Sequence, residues 1–342
     1  MTDLTQAPRT DPTSIYRMRD GLYAEDLFIA ALVGFDFFTW IAAHPGTVED
    51  ICRKFQFKSR PVDAMTTLFV AMGLLEREGP ILRATEKARE HLVEGSPWCI
   101  KPYFPKLADR PIARDYVEIL REGRPANFAG RRDEKDWHAA METEKFAEEF
   151  TAAMDCRGVL LAQALGKNLD LKETRRLLDV AGGSGIYACS LVRHFPQLRA
   201  TVLEKSPVDK IATRAIARRG LSERVDVVIG DMLAAPLPEG YDAHLFSNVL
   251  HDWDIEVVKQ LLRSSARALP SGGRLIIHDA FLDADKNGPL HIAEYSVLLV
   301  HVTQGRCYSV LEMTEWLREA GFADPQHIAG AAARSALVAR KL

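Results

Sequence analysis

The 342-residue sequence is poor in cysteine and has no long hydrophobic run. Its five cysteines are odd in number, scattered and never in a C-x-x-C pair, which argues against a disulfide framework or a thiolate metal site and fits a reducing cytoplasm. The longest apolar stretch, residues 27–43, contains Asp36 and is too short to span a bilayer. The first twenty residues are polar and lack the apolar core of a signal peptide. We therefore expect a cytoplasmic protein without membrane contact.

The chain also lacks an excess of charge of either sign. It has 44 Lys and Arg against 47 Asp and Glu, and the net charge of −3 gives no electrostatic attraction to nucleic acid or to an anionic membrane. A hydrophobic content of 47% with 27% charged residues is ordinary for a soluble globular protein. The length exceeds that of one average domain, so we expect two lobes.

The most informative segment runs from Leu177 to Pro207. An apolar run ends in the glycine-rich stretch 182–185, apolar residues at helical spacing follow, and a second apolar run stops at Glu204. This pattern predicts strand, glycine turn, helix and strand, which is one βαβ unit of a parallel sheet. Glycines let the backbone approach a ligand, the helix start offers unpaired N–H groups, and Glu204 is placed to accept hydrogen bonds from both hydroxyls of a ribose.

The glycine loop differs from the one that binds dinucleotides. It reads D-x-A-G-G-S-G rather than G-x-G-x-x-G, and Asp179 lies three residues before the first of these glycines. A carboxylate there repels a pyrophosphate but suits a cationic amino acid portion, directly or through water. A third apolar run, residues 225–229, leads to Asp231 and Met232. Three successive strand ends therefore each carry a carboxylate.

These strand ends resemble motif I and its neighbours in the class I S-adenosylmethionine-dependent methyltransferases. The resemblance implies S-adenosylmethionine as cofactor, with Asp231 contacting the adenine amino group and Met232 packing on the ring. It implies a cofactor site built from Asp179, Gly182, Gly183, Gly185, Glu204, Asp231, Met232 and Ser247.

The first part of the chain predicts a helical lobe. Residues 23–44 are apolar on almost every face, as in a helix that is buried on all sides or packs against a second chain. Thr47 and Ser59 are placed to cap two helices, and a hairpin turning at Gly79-Pro80 follows, which predicts a winged helix. The would-be recognition helix, residues 62–73, contains no Lys or Arg, so we expect a dimerisation platform rather than a nucleic-acid reader.

The catalytic candidates follow the fourth predicted strand. Residues 241–254 read as a strand running into a helix, so His251 lies at the sheet edge where open α/β sheets bind ligands. An imidazole there can take a proton from an acceptor hydroxyl near neutral pH. The segment Leu250-His251-Asp252-Trp253 resembles the catalytic segment of the plant-type and bacterial small-molecule O-methyltransferases, a resemblance that covers residues 21–322. It implies that Asp279, at the end of the fifth strand, orients His251, with Asp252 beside it. We further expect substrate contacts from Asn248, Trp253 and His301.

One position departs from that family. The residue after Gly305-Arg306 is typically a second glutamate, but here it is Cys307, which cannot share a proton in the same way. His301, six residues earlier, has three readings: a pocket-wall or substrate-binding histidine, a residue of the packed core, or a ligand that together with His251 holds iron or zinc and a 2-keto acid. The last arrangement is that of the metal-dependent α-keto acid C-methyltransferases, which the chain also resembles.

We predict a winged-helix-like dimerisation domain over residues 1–97, a helical pocket-lining linker over 98–168, and a Rossmann-like seven-strand domain over 169–342. The linker contains a Gly-, Arg- and Pro-rich loop whose Arg131 and Arg132 either meet an anionic acceptor or form a solvated basic patch.

The expected function is transfer of a methyl group from S-adenosylmethionine to a small organic acceptor by a homodimer, in secondary metabolism. An acceptor oxygen is favoured over an acceptor carbon, because His251, Asp252 and Asp279 match the O-methyltransferases while Cys307 does not. The rivals are a metal-assisted C-methyltransferase, an NAD-dependent dehydrogenase, and a non-catalytic dimer that binds the cofactor.

Overall fold

The computed structural model describes residues 3–126 and 137–342. The chain divides into two compact units. The sheet unit comprises Met1–Thr13, Lys135–Phe281 and Val310–Leu342, and the helical unit comprises Ser14–Glu134 and Leu282–Ser309. The predicted three-segment division differs from this one, because the linker is shared between the units and residues 282–309 join the helical unit. Arg131 and Arg132 lie outside the described residues.

The elements of the described chain are as follows. The helices are α1 (Thr13–Asp20), α2 (Ala24–Ile29), α3 (Phe37–Ala43), α4 (Val48–Phe55), α5 (Ser59–Ala71), α6 (Glu86–His91), α7 (Pro111–Glu122), α8 (Trp137–Met141), α9 (Glu144–Asn168), α10 (Ile186–His194), α11 (Val208–Arg218), α12 (Ile255–Ala268), α13 (Leu290–Val302) and α14 (Val310–Glu319). The strands are β1 (Leu75–Glu78), β2 (Ile81–Ala84), β3 (Arg176–Val180), β4 (Arg199–Glu204), β5 (Val225–Ile229), β6 (Ala243–Ser247), β7 (Arg274–Asp279), β8 (Phe322–Ala329) and β9 (Ser335–Lys341).

The apolar segment 23–44 is not one continuous helix. A π-helical turn, Ala30–Gly34, follows α2, and Asp36 adopts a left-handed φ of 49° before α3. Most apolar side chains of this segment are buried inside the chain, with Leu32 and Phe37 fully covered, while Val33, Phe35 and Trp40 are half-buried. This segment therefore does not need a second chain to cover it.

No single helix of the described chain is long and apolar enough to cross a membrane. The pair formed by α2 with its π turn and α3, bent by 68°, would be long and apolar enough together, by length and composition alone.

The helices and hairpin predicted for residues 47–84 are present. Thr47 caps α4 through a capping box, in which its side chain accepts from the Asp50 amide while the Asp50 carboxylate accepts from the Thr47 amide. Ser59 is not a cap, because Lys58 occupies the N-cap of α5 and makes no side-chain capping bond. Strands β1 and β2 pair antiparallel around a turn at Gly79.

The first turn of α5 is tied to the segment 282–309 of the same unit. The Arg60 guanidinium donates to the carbonyls of Gly123, Val300, Thr303 and Gly305, two of which are at the C-terminal end of α13. A cation at that end also complements the helix dipole. One turn further on, Asp63 pairs with Lys286 at 3.0 Å and with Arg306 at 3.1 Å. The N-terminal end of α5, the predicted recognition helix, therefore contacts other segments of the same unit.

Replacing Arg60 with Ala is expected to destabilise the protein by about 2–3 kcal/mol, because the hydrogen bonds of one charged group to four carbonyls are lost together. Urea unfolding followed by tryptophan fluorescence measures this. Arg53→Ala on α4 is the matched control, since the Arg53 side chain is 76% exposed and its ion pair is with the neighbouring Asp50 at the surface. Equal stability of the two variants would contradict the proposed role of Arg60.

The sheet unit is built on seven strands in the order β5-β4-β3-β6-β7-β9-β8. Strands β3 to β7 run parallel, and β9 runs antiparallel to both of its neighbours. Fully covered aliphatic and aromatic side chains such as Leu178, Val202 and Phe246 form the core of the sheet. The strand order reverses between β3 and β6, and ligands of open α/β sheets bind in the crevice outside the carboxyl ends at such a point. The predicted fold class is confirmed.

Candidate active site

The glycine turn after β3 has a backbone that restricts which residues fit. Gly183 and Gly185 adopt left-handed φ values of 60° and 74°, and Gly185 is the N-cap of α10. At Gly182 a Cβ atom would lie 2.6 Å from the carboxylate of Asp179, so only glycine fits without displacing that group. The sequence therefore folds the turn directly onto the acidic residue that precedes it.

Two carboxyl groups lie near the carboxyl ends of β3 and β4, the first fully buried and the second half-buried. Asp179 is fully buried, and its Oδ2 accepts from the Ala188 amide at 3.3 Å while its Oδ1 has no hydrogen-bond partner in the described chain. Glu204 accepts from the amides of Gly183 at 2.8 Å and Lys205 at 3.0 Å. Burial raises the pKa of each to about 7. Within the described residues neither carboxylate forms an ion pair with Lys, Arg or His.

These features fit S-adenosylmethionine. A buried acceptor atom without a donor at Asp179 suits an ammonium or a bridging water, and the Glu204 carboxylate retains capacity for ribose hydroxyls. Asp231, after β5, is 32% exposed, accepts from the Leu233 amide at 2.8 Å and pairs with Lys205 at 3.3 Å. Although burial opposes ionisation, the Leu233 amide and Lys205 hold the pKa of Asp231 below its usual value. Met232 is half-buried beside it.

The histidine singled out from the sequence is paired with the predicted aspartate. His251 sits in the 3₁₀ turn Leu250–Asp252 that follows β6, and it is 4% exposed. Its Nδ1 forms a short hydrogen bond with Oδ1 of Asp279, which also accepts from the Ala280 amide at 2.8 Å. Burial alone would raise the pKa of Asp279, but the charge and hydrogen bond of His251 and the Ala280 amide hold it below its usual range.

This pairing sets the tautomer of the imidazole. A carboxylate acceptor at Nδ1 keeps a proton on that nitrogen, which leaves the lone pair on Nε2 for an incoming proton. Asp252 Oδ1 lies 3.6 Å from Nε2, and the half-buried Trp253 follows. His251, Asp252 and Asp279 are thus brought together as predicted.

Residues that the sequence reading missed surround Asn248. The Asn248 side chain accepts from Nε of Arg334 at 2.9 Å and donates to the hydroxyl of Tyr187 at 3.0 Å. Next to it, Ser247 bonds Nδ1 of His278 at 2.9 Å. Burial lowers the pKa of His278 to about 3, so this ring is neutral. The predicted substrate contact of Asn248 remains a prediction, and in this structure both ends of its amide are engaged by the protein.

His301 belongs to the helical unit. Its Nε2 lies 2.8 Å from Oδ2 of the buried Asp115, and its ring packs against Tyr23 and Tyr116 with centroids 4.8 and 5.6 Å away. Cys307 is fully buried, and its amide donates to the Ser296 hydroxyl. The predicted apposition of His301 and His251 involves two separate units and remains a prediction. In the described chain no group of three or more His, Cys, Asp or Glu side chains is arranged to hold a metal ion.

Comparison with known proteins decides the family. Residues 115–323 match the family model of the O-methyltransferase domain. A 3-hydroxy-5-methyl-1-naphthoate 3-O-methyltransferase from Streptomyces sahachiroi is 33% identical over 314 residues, which cover 91% of this chain and 89% of that protein. The chain belongs to the O-methyltransferase domain family.

Solved structures agree with this assignment. An O-methyltransferase family 2 protein from Planctomyces limnophilus, crystallised with apigenin, superposes with a TM-score of 0.89 at 30% identity, covering 100% of this chain and 99% of that one. Human N-acetylserotonin methyltransferase in complex with S-adenosylmethionine shares the fold, with a TM-score of 0.61 at 24% identity over 98% and 99% of the two chains.

The family assignment confirms the main sequence prediction. This O-methyltransferase is an S-adenosylmethionine-dependent enzyme acting on a small molecule, and S-adenosylmethionine is its cofactor. The dehydrogenase alternative is wrong. The roles of individual site residues remain predictions.

The buried Asp179 predicts a specific pH dependence of stability. Its pKa is raised in the folded cofactor-free protein, so its contribution is fully present below about pH 4 and is lost as the pH rises through about 7. Between pH 5 and 7.5 we expect the wild type to lose about 1–3 kcal/mol of unfolding free energy relative to Asp179→Asn. Urea unfolding without cofactor measures this. Asp226→Asn, at an exposed position on β5, is the control, and a similar difference for both variants would refute the assignment.

Proposed function

We propose that this enzyme methylates a hydroxyl oxygen of a small aromatic acceptor, with His251 as the general base. The hydrogen-bonded pair of His251 and Asp279 carries this proposal, because it provides a buried imidazole with one nitrogen oriented by a carboxylate. The acceptor class rests on similarity: one relative is named for a hydroxynaphthoate, and the Planctomyces protein was crystallised with apigenin.

The chain's own groups perform three tasks in this reaction. Asp179, Glu204 and the glycine turn would hold the cofactor, which would supply a methyl group on a sulfonium; as the oxygen bonds to the methyl carbon, the sulfur–methyl bond would break and the neutral thioether would leave. Nε2 of His251 takes the proton of the acceptor hydroxyl, which makes the oxygen a better nucleophile. Asp279 stabilises the imidazolium that results and keeps the ring oriented. No protein nucleophile is needed, because alignment and proton removal supply the catalysis.

Substitution of His251 tests the base directly. His251→Ala is expected to lower turnover by about 10²–10⁴-fold while the affinity for S-adenosylhomocysteine is unchanged. Asp279→Asn is expected to lower turnover as well, because an amide facing Nδ1 no longer favours the required tautomer. Initial rates with apigenin and with 3-hydroxy-5-methyl-1-naphthoate measure these effects, with the exposed histidine in His327→Ala as control.

The C-methyltransferase alternative predicts a different outcome for the same protein. If His251 and His301 held a metal, substitution of either would abolish metal content and turnover together, and chelation would reproduce the loss. We expect chelators to leave the rate unchanged. Stoichiometric iron or zinc whose removal stops turnover would contradict the metal-free base.

We also propose that the enzyme is a homodimer formed through its helical unit. The predicted dimer surface, residues 23–44, is mostly buried within the chain, so we assign the contact to exposed apolar side chains of the same unit. Large apolar side chains are exposed on α1 and after α6: Ile15 is 72%, Met18 79%, Trp98 65% and Tyr103 85% exposed. Ile15 and Met18 are three residues apart on one helix and so share a face. Large apolar side chains that are exposed in a cluster are typical of interaction surfaces.

Met18→Glu is expected to weaken self-association, because a buried charge without a partner is costly at an interface. Sedimentation equilibrium at micromolar concentration compares this variant with the wild type. The control is Leu311→Glu, which places the same charge at an exposed apolar position of α14 in the sheet unit. A wild type that is a stable folded monomer would disprove the dimer. If Met18→Glu and Leu311→Glu dimerise equally well, the contact is not on α1.

A further inference from the structure

A buried arginine from the end of the chain reaches the turn that carries the candidate base. Arg334, in the loop between β8 and β9, is 3% exposed. The loop that presents it is sharply bent: Ala332 and Ala333 both have left-handed φ values, 45° and 61°. At Gly330 a Cβ atom would lie 2.2 Å from the Arg334 carbonyl oxygen, so the two ends of the loop are in close contact. Backbone conformations of this kind persist only where surrounding contacts enforce them.

The Arg334 contact fixes the orientation of an amide. A guanidinium is a donor only, so the atom of Asn248 that meets Nε is the Oδ1 oxygen, at 2.9 Å. Nδ2 of Asn248 must then point the other way, where it donates to the Tyr187 hydroxyl at 3.0 Å and lies 3.3 Å from Oγ of Ser247. The main chain of Asn248 is held as well, because its amide donates to the His278 carbonyl at 2.8 Å.

Asn248 is the point at which the chain leaves the sheet toward His251. It follows the last residue of β6, has a left-handed φ of 54°, and is separated from the 3₁₀ turn Leu250–Asp252 only by Val249. An asparagine tolerates this conformation better than most residues, but its side chain must still be anchored to fix the direction of the turn. Arg334 supplies that anchor from the loop between β8 and β9, two strands that lie on the same side of the switch point as β6.

We propose that Arg334 is a positioning residue for methyl transfer, which acts through Asn248 to hold the turn that places His251 against Asp279. The proposal rests on the proposed role of His251 as the base. Arg334 acts on the turn through its hydrogen bond to Asn248. Its positive charge also helps to hold the pKa of Asp279 below its usual range. Displacement of a catalytic group by about 1 Å from a distant substitution costs up to about 100-fold in rate.

A double-mutant cycle tests whether the two residues act as one unit. Arg334→Met and Asn248→Ala are each expected to lower kcat by about 10- to 100-fold with apigenin or 3-hydroxy-5-methyl-1-naphthoate, with S-adenosylhomocysteine affinity retained. The double variant should lose no more than the worse single variant, because both substitutions release the same turn. Arg340→Met is the control, since Arg340 is exposed on β9 and should keep wild-type kcat. Multiplying losses, or an unchanged kcat in Arg334→Met, would overturn the proposal.

A measurement on the imidazole itself separates this proposal from that of the base. In ¹⁵N-histidine spectra, with the His251 signals assigned by their absence in His251→Ala, Arg334→Met should move the Nδ1 and Nε2 resonances of His251. Arg334→Lys serves if the Met variant does not fold, because Lys keeps the charge but lacks the planar Nε donor. Unmoved His251 resonances would overturn the role of Arg334. Full turnover in His251→Ala would disprove the role of His251 as the general base. The ¹⁵N spectra would still test whether Arg334 positions His251.

Discussion

The site depends on two carboxyl groups, those of the fully buried Asp179 and the half-buried Glu204, which form no ion pair with Lys, Arg or His within the described residues. Asp179 and Glu204 end adjacent parallel strands, and the glycine turn closes over the first and donates an amide to the second. Burial raises the pKa of both to about 7, so the folded protein without cofactor carries a cost in holding them ionised at neutral pH. Donors on a bound cofactor remove that cost. The affinity for S-adenosylmethionine and the stability of the empty protein are therefore linked through the same two residues.

The catalytic half of the site follows from the same topology. Since β3, β6 and β7 are parallel, their carboxyl ends meet at one edge, which brings the glycine turn, the turn of His251 and Asp279 together. Asp279 is buried like Asp179, but it differs in having a partner, and its pKa is held below the usual range instead of above it. The same edge of the sheet thus carries two kinds of carboxylate. Asp179 and Glu204 can accept hydrogen bonds from a ligand, whereas Asp279 already orients His251.

The sequence predicted the parts of this site that depend on local pattern. Apolar runs of strand length and the glycines between them located β3 and β4, and the acidic residues were assigned to strand ends because the apolar runs stop at or beside them. The break after α2 was missed because nothing in an all-apolar pattern shows where a π turn and the left-handed Asp36 interrupt it. Arg334 was missed for a different reason: its contact with Asn248 joins residues 86 positions apart, and no local spacing signals it. His278 was visible as a histidine beside Asp279, but its bond to Ser247 depends on the pairing of β6 with β7.

Proton release on cofactor binding tests the account most directly. At pH 6 the carboxyls of Asp179 and Glu204 are largely protonated in the cofactor-free protein, and donors from the cofactor favour their ionised forms. Titration calorimetry with S-adenosylhomocysteine at pH 6, in buffers of different ionisation enthalpy, counts the protons exchanged. The account predicts net release of protons by the wild type and a smaller release by Glu204→Gln. Binding without proton release, or equal release by the two proteins, would contradict it.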